Sequence, residues 1–179
     1  MNKIVFAACV GFLGLISVHA AVGQQTRETA VKGMRQLDPK ELDPSYNQTA
    51  PFAQKLVDDE LAAHPAVLLI GLHVTPPNHE TNVIIASNFG RIGKLADKDD
   101  LHVISTGISN FDVEPAGSTY EAEIPVREKS SGRIIGAVSI VFNFKSGDNQ
   151  AAFTREAKAI SKNMNARITT LDKLFGPSI

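Results

Sequence analysis

Six side chains in this 179-residue sequence have types and positions suited to recognising a small molecule. His73 lies in the otherwise apolar stretch AVLLIGLHVT, and Ser139 lies in IIGAVSIVFNF. Arg91 follows a glycine in ASNFGRIG, where its planar guanidinium could hold a carboxylate through two hydrogen bonds. With the polar pair just before it and a tyrosine of a later strand, the predicted ligand-binding set is His73, Ser87, Asn88, Arg91, Tyr120 and Ser139.

Each of these residues also has a purely structural interpretation. A single histidine in an apolar strand is more often a neutral core residue bonded to the backbone than a ligand contact. Arg91 fits an exposed surface position equally well, and Ser87 with Asn88 fits a simple turn. The elements that carry these residues therefore have to decide between the two interpretations.

The common catalytic and metal-binding patterns are absent from the sequence. It contains no G-x-S-x-G and no H-E-x-x-H, and GRIGK lacks the spacing of a phosphate-binding loop. The acidic stretches VDDE and DKDD resemble solvated helix faces or helix starts. No metal-ligand spacing relates His64, His73, His79 and His102. We therefore predict no catalysis, no metal and no cofactor.

The first 20 residues have the layout of a secretory signal peptide. Lys3 precedes an apolar run from Ile4 to Val18, and the small residues Ala20 and Ala21 suit cleavage. We predict a periplasmic or secreted protein, with a retained N-terminal membrane anchor as the alternative. Cleavage would remove Cys9, the only cysteine, and with it disulfide and thiolate chemistry. The formal net charge of −1 argues against a nucleic-acid partner.

The pattern of apolar residues predicts a single α+β domain over residues 49–179, preceded by a polar linker at 21–48 with two Asp-Pro steps. TAPFAQKLVDDELAAH predicts a helix that Thr49 caps and Pro51 starts. Strands are predicted at Ala66 to Thr75, Asn82 to Asn88, Ser118 to Glu128 and in IIGAVSIVFNF, with a short helix from Asp97 to Gly107 and a C-terminal helix. Pro125 indicates an edge strand. The predicted fold is one antiparallel sheet of about five strands with a long N-terminal helix and a C-terminal helix.

Small residues in two of these strands indicate a cavity. If Gly71 and His73 share a sheet face with Ala137 and Ser139, the short side chains leave room for a guest beside two polar groups. The alternative is that a helix packs closely on the same face.

Two stretches, NVIIASNFGRIGKLADKDDLHVISTG and YEAEIPVREKSSGRIIGAVSIVF, resemble the extracytoplasmic Cache sensor domains, which are relatives of PAS domains. The resemblance extends from Thr49 to Phe144 and implies a concave sheet face that holds a small ligand, often a carboxylate or an amino acid. Such sensors signal through a second membrane helix and a cytoplasmic module that this sequence lacks.

The resemblance therefore implies a non-catalytic, sensor-type domain that binds a small organic acid or amino acid. It would act through a partner protein, such as a membrane receptor or a transporter, and a homodimer stays open. The alternatives are a secreted haem or metal carrier that uses His73 or His79, and a protein-interaction module without a ligand.

Overall fold

The computed structural model describes residues 26–178, so the predicted signal peptide and Cys9 lie outside the described residues. The helices are α1 (Pro51–Ala63), α2 (Lys98–Thr106) and α3 (Gln150–Arg167). The strands are β1 (Val67–Val74), β2 (Val83–Ser87), β3 (Asn110–Val113), β4 (Thr119–Arg127) and β5 (Ile134–Asn143). Short 3-10 helices lie at Pro39–Glu41 and Leu171–Phe175, and residues 26–32 are also helical. Within the described residues, no helix combines the length and apolarity needed to span a bilayer.

All five strands pair antiparallel in one sheet with the order β2-β1-β5-β4-β3. This confirms the α+β fold with a single antiparallel sheet. Residues 26–178 show no long N-terminal helix, since α1 has 13 residues and the longest helix of this range is α3, with 18. The edge strand β3 was not predicted, because its four residues NFDV are too few to show a period.

The two faces of the sheet are covered unequally. Helices α1 and α3 pack on one face and bury its apolar side chains, among them Ile70, Leu72, Val138, Ile140 and Phe142, all 0% exposed. The other face is partly covered by the short helix α2, which packs on β4 and β5. The main hydrophobic core therefore lies on the α1 and α3 side, and the α2 side leaves part of the sheet open.

The ends of α2 follow from its sequence, and α1 starts at Pro51 as predicted, but the N-cap of α1 differs from the prediction. The Asp97 carboxylate accepts hydrogen bonds from the amides of Asp99 and Asp100, and Gly107 ends α2 with a left-handed φ of 72°. The N-cap of α1 is Ala50 rather than the predicted Thr49, and its side chain caps nothing. The Ala50 amide instead donates to the Ile85 carbonyl, which fastens the start of α1 to β2.

Pro125 does not mark an edge strand, because β4 lies between β5 and β3. The prediction is wrong for the strand, but its physical reason holds for the residue. The β3 pairing stops at Glu123, so the outer side of β4 is unpaired beyond that point. There Asn165 of α3 accepts from the Arg127 amide and donates to the Pro125 carbonyl, and the missing proline N–H deprives no strand partner.

Residues 26–48, predicted as a linker, pack against the sheet domain. The Arg27 guanidinium donates to the carbonyls of Leu61, His64 and Val67, at the turn from α1 into β1. Tyr46 belongs to the core at 9% exposure. Arg91, in the loop after β2, donates to the Arg35 carbonyl at 2.7 Å. This segment therefore forms a wall beside the open part of the sheet.

Close strand packing explains the glycine in the middle of IIGAVSIVFNF. A Cβ on Gly136 would lie 1.9 Å from the backbone carbonyl oxygen of His73, so no larger side chain fits between β5 and β1. The neighbouring Ala137 is also 0% exposed. Gly136 therefore serves the close packing of two strands rather than the helix packing considered from the sequence.

We predict that Gly136→Ala lowers the free energy of unfolding by about 1 to 3 kcal/mol or more, because the clash is with backbone that cannot rotate away. Urea unfolding followed by circular dichroism measures the change. Gly33→Ala is the matched control, since its Cβ would meet nothing closer than 3.6 Å. Equal stability of the two variants would show that β1 and β5 are farther apart than described.

Candidate functional site

Polar side chains lie in rows across the sheet face that α2 partly covers. The register places Ser139 of β5 opposite Gly71 of β1 and Glu123 of β4, and Glu123 opposite Asn110 of β3. The next row on the same face contains Leu69, Val141, Glu121 and Asp112. This confirms that Gly71 and Ser139 share a face, because side chains alternate between faces along each strand.

A cavity of about 440 Å³ lies over these rows, a volume typical of small-ligand sites. Its walls come from the sheet, the start of α2, the loop after β2 and Met34 of the N-terminal segment. Arg91 and Lys94 are its basic side chains, and its apolar ones include Leu69, Ile84, Phe89 and Val141. Seven carboxylates line it: Asp97, Asp99, Asp100, Asp112, Glu114, Glu121 and Glu123. The cavity is therefore strongly acidic.

At the inner end of the cavity, buried polar groups meet beneath α2. Asp100 is 2% exposed, and its Oδ1 accepts from the Ser139 hydroxyl at 3.3 Å. His73 is 3% exposed, and its Nδ1 lies 3.5 Å from Asp100 Oδ2 without the geometry of a hydrogen bond. Within residues 26–178, that nitrogen has no hydrogen-bond partner. Glu123, 6% exposed, accepts from Asn110 at 3.1 Å.

Burial and mutual repulsion change the ionisation of this cluster. Burial, a hydrogen bond with Glu114 and the charge of Glu123 raise the pKa of Glu121 to about 9. Burial raises the pKa of Glu123 to about 7, and burial with the charge of Asp97 raises the pKa of Asp100 to about 6. Burial lowers the pKa of His73 to about 3, so its imidazole is neutral at pH 7. The cavity therefore favours a positively charged guest that would stabilise the ionised carboxylates.

The structure places three of the six predicted site residues at the cavity, namely His73, Arg91 and Ser139. Gly71 contributes less space than predicted, because the Phe89 ring packs against it. A Cβ at this position would lie 3.0 Å from Phe89 Cζ. Ala137 contributes no surface to the cavity lining.

The other three predicted residues lie elsewhere. Tyr120 faces the opposite side of the sheet, where its hydroxyl is 2.6 Å from Thr154 Oγ1 of α3. The Asn88 side chain bonds the Ile70 amide and the Leu68 carbonyl, which extends the hydrogen bonding along β1. Ser87 is buried, and its amide donates to the Gln54 side chain of α1. Because side chains alternate between the two faces of a strand, Tyr120 lies on the core face. The Asn88 side chain satisfies backbone groups of β1 instead of lining the cavity.

Sequence reasoning missed the carboxylates. DKDD was interpreted as a solvated helix start, but its last residue, Asp100, is buried against the sheet. The alternation in STYEAEIPVRE puts Glu121 and Glu123 on the polar face of a strand and gives no reason to consider that face covered. The available signal was their spacing of two residues on the strand that forms a hairpin with the strand of Ser139.

No known protein family and no curated protein matches this sequence. Several solved structures resemble its fold. A GAF domain from A. Aeolicus has 11% identity and a TM-score of 0.46, with 89% of this chain and 96% of that chain covered. The free methionine-R-sulfoxide reductase of Neisseria meningitidis has 12% identity and a TM-score of 0.48, with 94% and 96% covered. The Staphylococcus aureus structure, named fRMsr, has 9% identity and a TM-score of 0.49, with 82% and 95% covered.

Two predictions from the sequence are contradicted by these similarities. The similar structures are GAF domains and reductases rather than extracytoplasmic Cache domains, so the Cache assignment is wrong. The prediction that the protein is not an enzyme is also wrong as stated, because free methionine-R-sulfoxide reductases are enzymes. At TM-scores below 0.5 these likenesses give the chain neither a family nor an activity.

We predict that the ligand-free protein loses stability as the pH rises from 7 to 9. Glu121, with a pKa of about 9 in the folded protein, keeps a proton there that the unfolded chain has released. Its stabilising effect is fully present below pH 4.5 and declines until pH 9. Glu123 and Asp100 act in the same direction at lower pH, whereas His73 acts oppositely below pH 6.5.

The slope for one proton is about 1.4 kcal/mol per pH unit, and solvent screening of the half-buried Glu121 makes the expected value smaller. Urea unfolding at pH 7, 8 and 9 measures it. Glu121→Gln should flatten the dependence, because an amide cannot ionise. A parent protein equally stable at pH 7 and pH 9 would contradict the raised pKa of Glu121.

Proposed function

We propose that the protein is a small-molecule-binding domain whose acidic cavity takes an organic ligand with a positive charge. The observation that carries the proposal is the charge of the cavity wall, where seven carboxylates face two basic side chains. Glu121 and Glu123 have no basic partner among their contacts in the described residues, so burial and neighbouring carboxylates raise both pKa values and disfavour the ionised forms. A cationic ligand would provide that partner.

The side chains of the cavity favour an ammonium or a guanidinium group over a quaternary ammonium. Carboxylates and the amide oxygen of Asn110 accept hydrogen bonds, which the first two groups donate and the third does not. A quaternary ammonium is usually held by several aromatic rings, and Phe89 is the one aromatic residue of the lining. Leu69, Ile84 and Val141 offer a surface for an apolar part of the ligand.

This charge distribution separates the two ligand classes expected from the sequence. A simple organic acid would bring a further negative charge to the carboxylates. An amino acid brings an ammonium group as well, and its carboxylate could meet Arg91, whose guanidinium also donates to the Arg35 carbonyl. The expected ligands are therefore amino acids and simple amines, and simple organic acids are not expected to bind.

The cellular setting of this binding is part of the proposal. The layout of residues 1–20 supports export to the periplasm, with the ligand-binding domain acting there through a partner such as a membrane receptor or a transporter. His79, which the carrier alternative invoked, packs edge-on against Tyr46 with ring centroids 5.4 Å apart and does not line the acidic cavity.

We predict that n-pentylamine and 5-aminopentanoate raise the melting temperature, whereas pentanoate does not. A ligand that binds only the folded state stabilises it by RT ln(1 + [L]/Kd), so a concentration series of each compound in a thermal-shift assay gives the ranking. The three compounds share a five-carbon chain and differ in charge. A larger shift with pentanoate than with n-pentylamine would refute a cation-selective cavity.

Glu121→Gln should weaken n-pentylamine binding by roughly 10-fold to 150-fold, which corresponds to about 1.5 to 3 kcal/mol for a hydrogen bond to a charged group. Isothermal titration calorimetry at pH 8 measures the two dissociation constants. Glu80→Gln, the same change at an exposed position outside the cavity, is the control and should bind as the parent does. Parent-like affinity in Glu121→Gln would place the ammonium group elsewhere.

A further inference from the structure

We propose that Asp97, Asp100 and Glu123 bind a divalent metal ion at the inner end of the acidic cavity, with the His73 imidazole as a further ligand. The inference rests on the proposed function in one respect, since it takes this cavity to be a site for positively charged ligands. It adds a specific ion, a specific position and a ligand set distinct from Glu121.

The geometry of the three carboxylates fits a metal ion. One oxygen of each lies within 4.8 Å of the others. Oxygens around a small octahedral ion at about 2.0 to 2.1 Å are roughly 3 to 4 Å apart, so a small contraction would complete the site. Asp97 and Asp100 are held by the first turn of α2, and Glu123 by the centre of β4. The site is therefore built on two regular elements.

Helix capping explains only part of this arrangement. Asp97 and Asp100 form a capping box, in which Asp97 Oδ1 accepts from the amides of the first turn and Asp100 Oδ2 accepts from the Asp97 amide. A capping box needs neither a buried Asp100 nor a third carboxylate from the sheet. Glu123 makes no hydrogen bond to α2 among the bonds described, so capping leaves its position in the cluster unexplained.

His73 is an independent observation that indicates a ligand at the same place. The side chain is 3% exposed and lines the cavity, and within residues 26–178 its Nδ1 has no hydrogen-bond partner. Buried polar nitrogens are nearly always satisfied, and a bound ion is one explanation for an unsatisfied nitrogen that lines a cavity. Its distance of 3.5 Å from Asp100 Oδ2 puts this nitrogen next to one of the three carboxylates.

The charge of the cluster matches a divalent ion. The three carboxylates carry three negative charges when ionised, and Lys94 contributes one positive charge through its Nζ, 3.3 Å from Asp97 Oδ2. Two negative charges remain. Carboxylate oxygens suit Mg²⁺, Ca²⁺ and Mn²⁺, while an imidazole suits the transition metals, so this mixed set favours Mn²⁺.

The metal and the organic ligand would occupy different rows of the sheet. Glu123 and Ser139 belong to the inner row, whereas Glu121, Val141 and Leu69 belong to the outer row. The ion would use the inner carboxylates and leave Glu121 for an ammonium group. Separate substitutions can therefore test the two proposals.

The experiment measures Mn²⁺ binding to the chelator-treated full-length protein by electron paramagnetic resonance, in which only free Mn²⁺ gives a strong signal. We expect one ion per chain, with Asp100→Asn and Glu123→Gln each weakening binding at least tenfold. Asp99→Asn, the same charge change at an exposed position of the same cavity, should stay within about threefold of the parent. Thermal melts confirm that each variant is folded. If only one of Asp100→Asn and Glu123→Gln folds, that variant suffices for the comparison with Asp99→Asn.

A parent protein that binds no Mn²⁺, or folded ligand variants that bind it as the parent does, would overturn the metal site. Glu121→Gln separates the two proposals, because it should lose n-pentylamine but keep Mn²⁺ within tenfold. An Asp100→Asn variant that loses Mn²⁺ binding but keeps n-pentylamine binding supports both proposals. An amine that binds to a protein without Mn²⁺ affinity refutes the metal site only, and Mn²⁺ binding without amine binding refutes the organic ligand only.

The role of the imidazole is tested by comparing the Mn²⁺ and Mg²⁺ affinities of the His73→Gln variant with those of the parent. A nitrogen ligand contributes more to the binding of a transition metal, so the substitution should weaken Mn²⁺ binding by at least fivefold more than Mg²⁺ binding. Equal losses for the two ions would assign His73 to the packing of the site rather than to the metal.

Discussion

The cavity depends on the way α2 is held over the sheet. This helix buries only Asp100 and Val103, and its Leu101 side chain is 48% exposed. A helix with a broad apolar face would settle onto the strands and close the space beneath it. The contacts of α2 to β5 include the polar one between Asp100 and Ser139, and α2 covers β4 and β5 while it leaves the rest of the sheet face open.

The polar contact also determines where charge can be placed. Asp100 is buried next to Glu123 and Asp97, and three carboxylates in so small a volume repel one another. On the opposite face α1 and α3 bury a mainly apolar set, and its hydrophobic stabilisation offsets the repulsion within this cluster. The fold can therefore hold an acidic site because its main core lies on the other side of the sheet.

Much of the fold could be predicted from the sequence because its signals are local. Asp97 and Gly107 mark the ends of α2, and the alternation in STYEAEIPVRE gives β4 its two faces. The acidic site could not be predicted, because whether Glu121 and Glu123 face water depends on which helix covers that face. The same limit explains the Cache assignment, since its stretches describe single strands and turns, whereas strand order and helix placement distinguish related folds. Arg91 and His73 were found because a glycine turn and an apolar strand make polar residues conspicuous.

The two ends of the cavity differ in a way that orients a ligand. The inner end is closed by Asp100, Ser139 and His73, while the outer end has apolar side chains and a wall from residues 34–36 that Arg91 fastens through the Arg35 carbonyl. With an ion at the inner end, the charged group of a guest would meet Glu121 in the outer row, beside the apolar side chains of Leu69 and Val141. The Arg91 hydrogen bond, the Arg35–Glu41 ion pair and the hydrogen bond from the Leu95 amide to the Glu41 carbonyl hold this wall, so the outer end is bounded by the N-terminal segment rather than by the sheet.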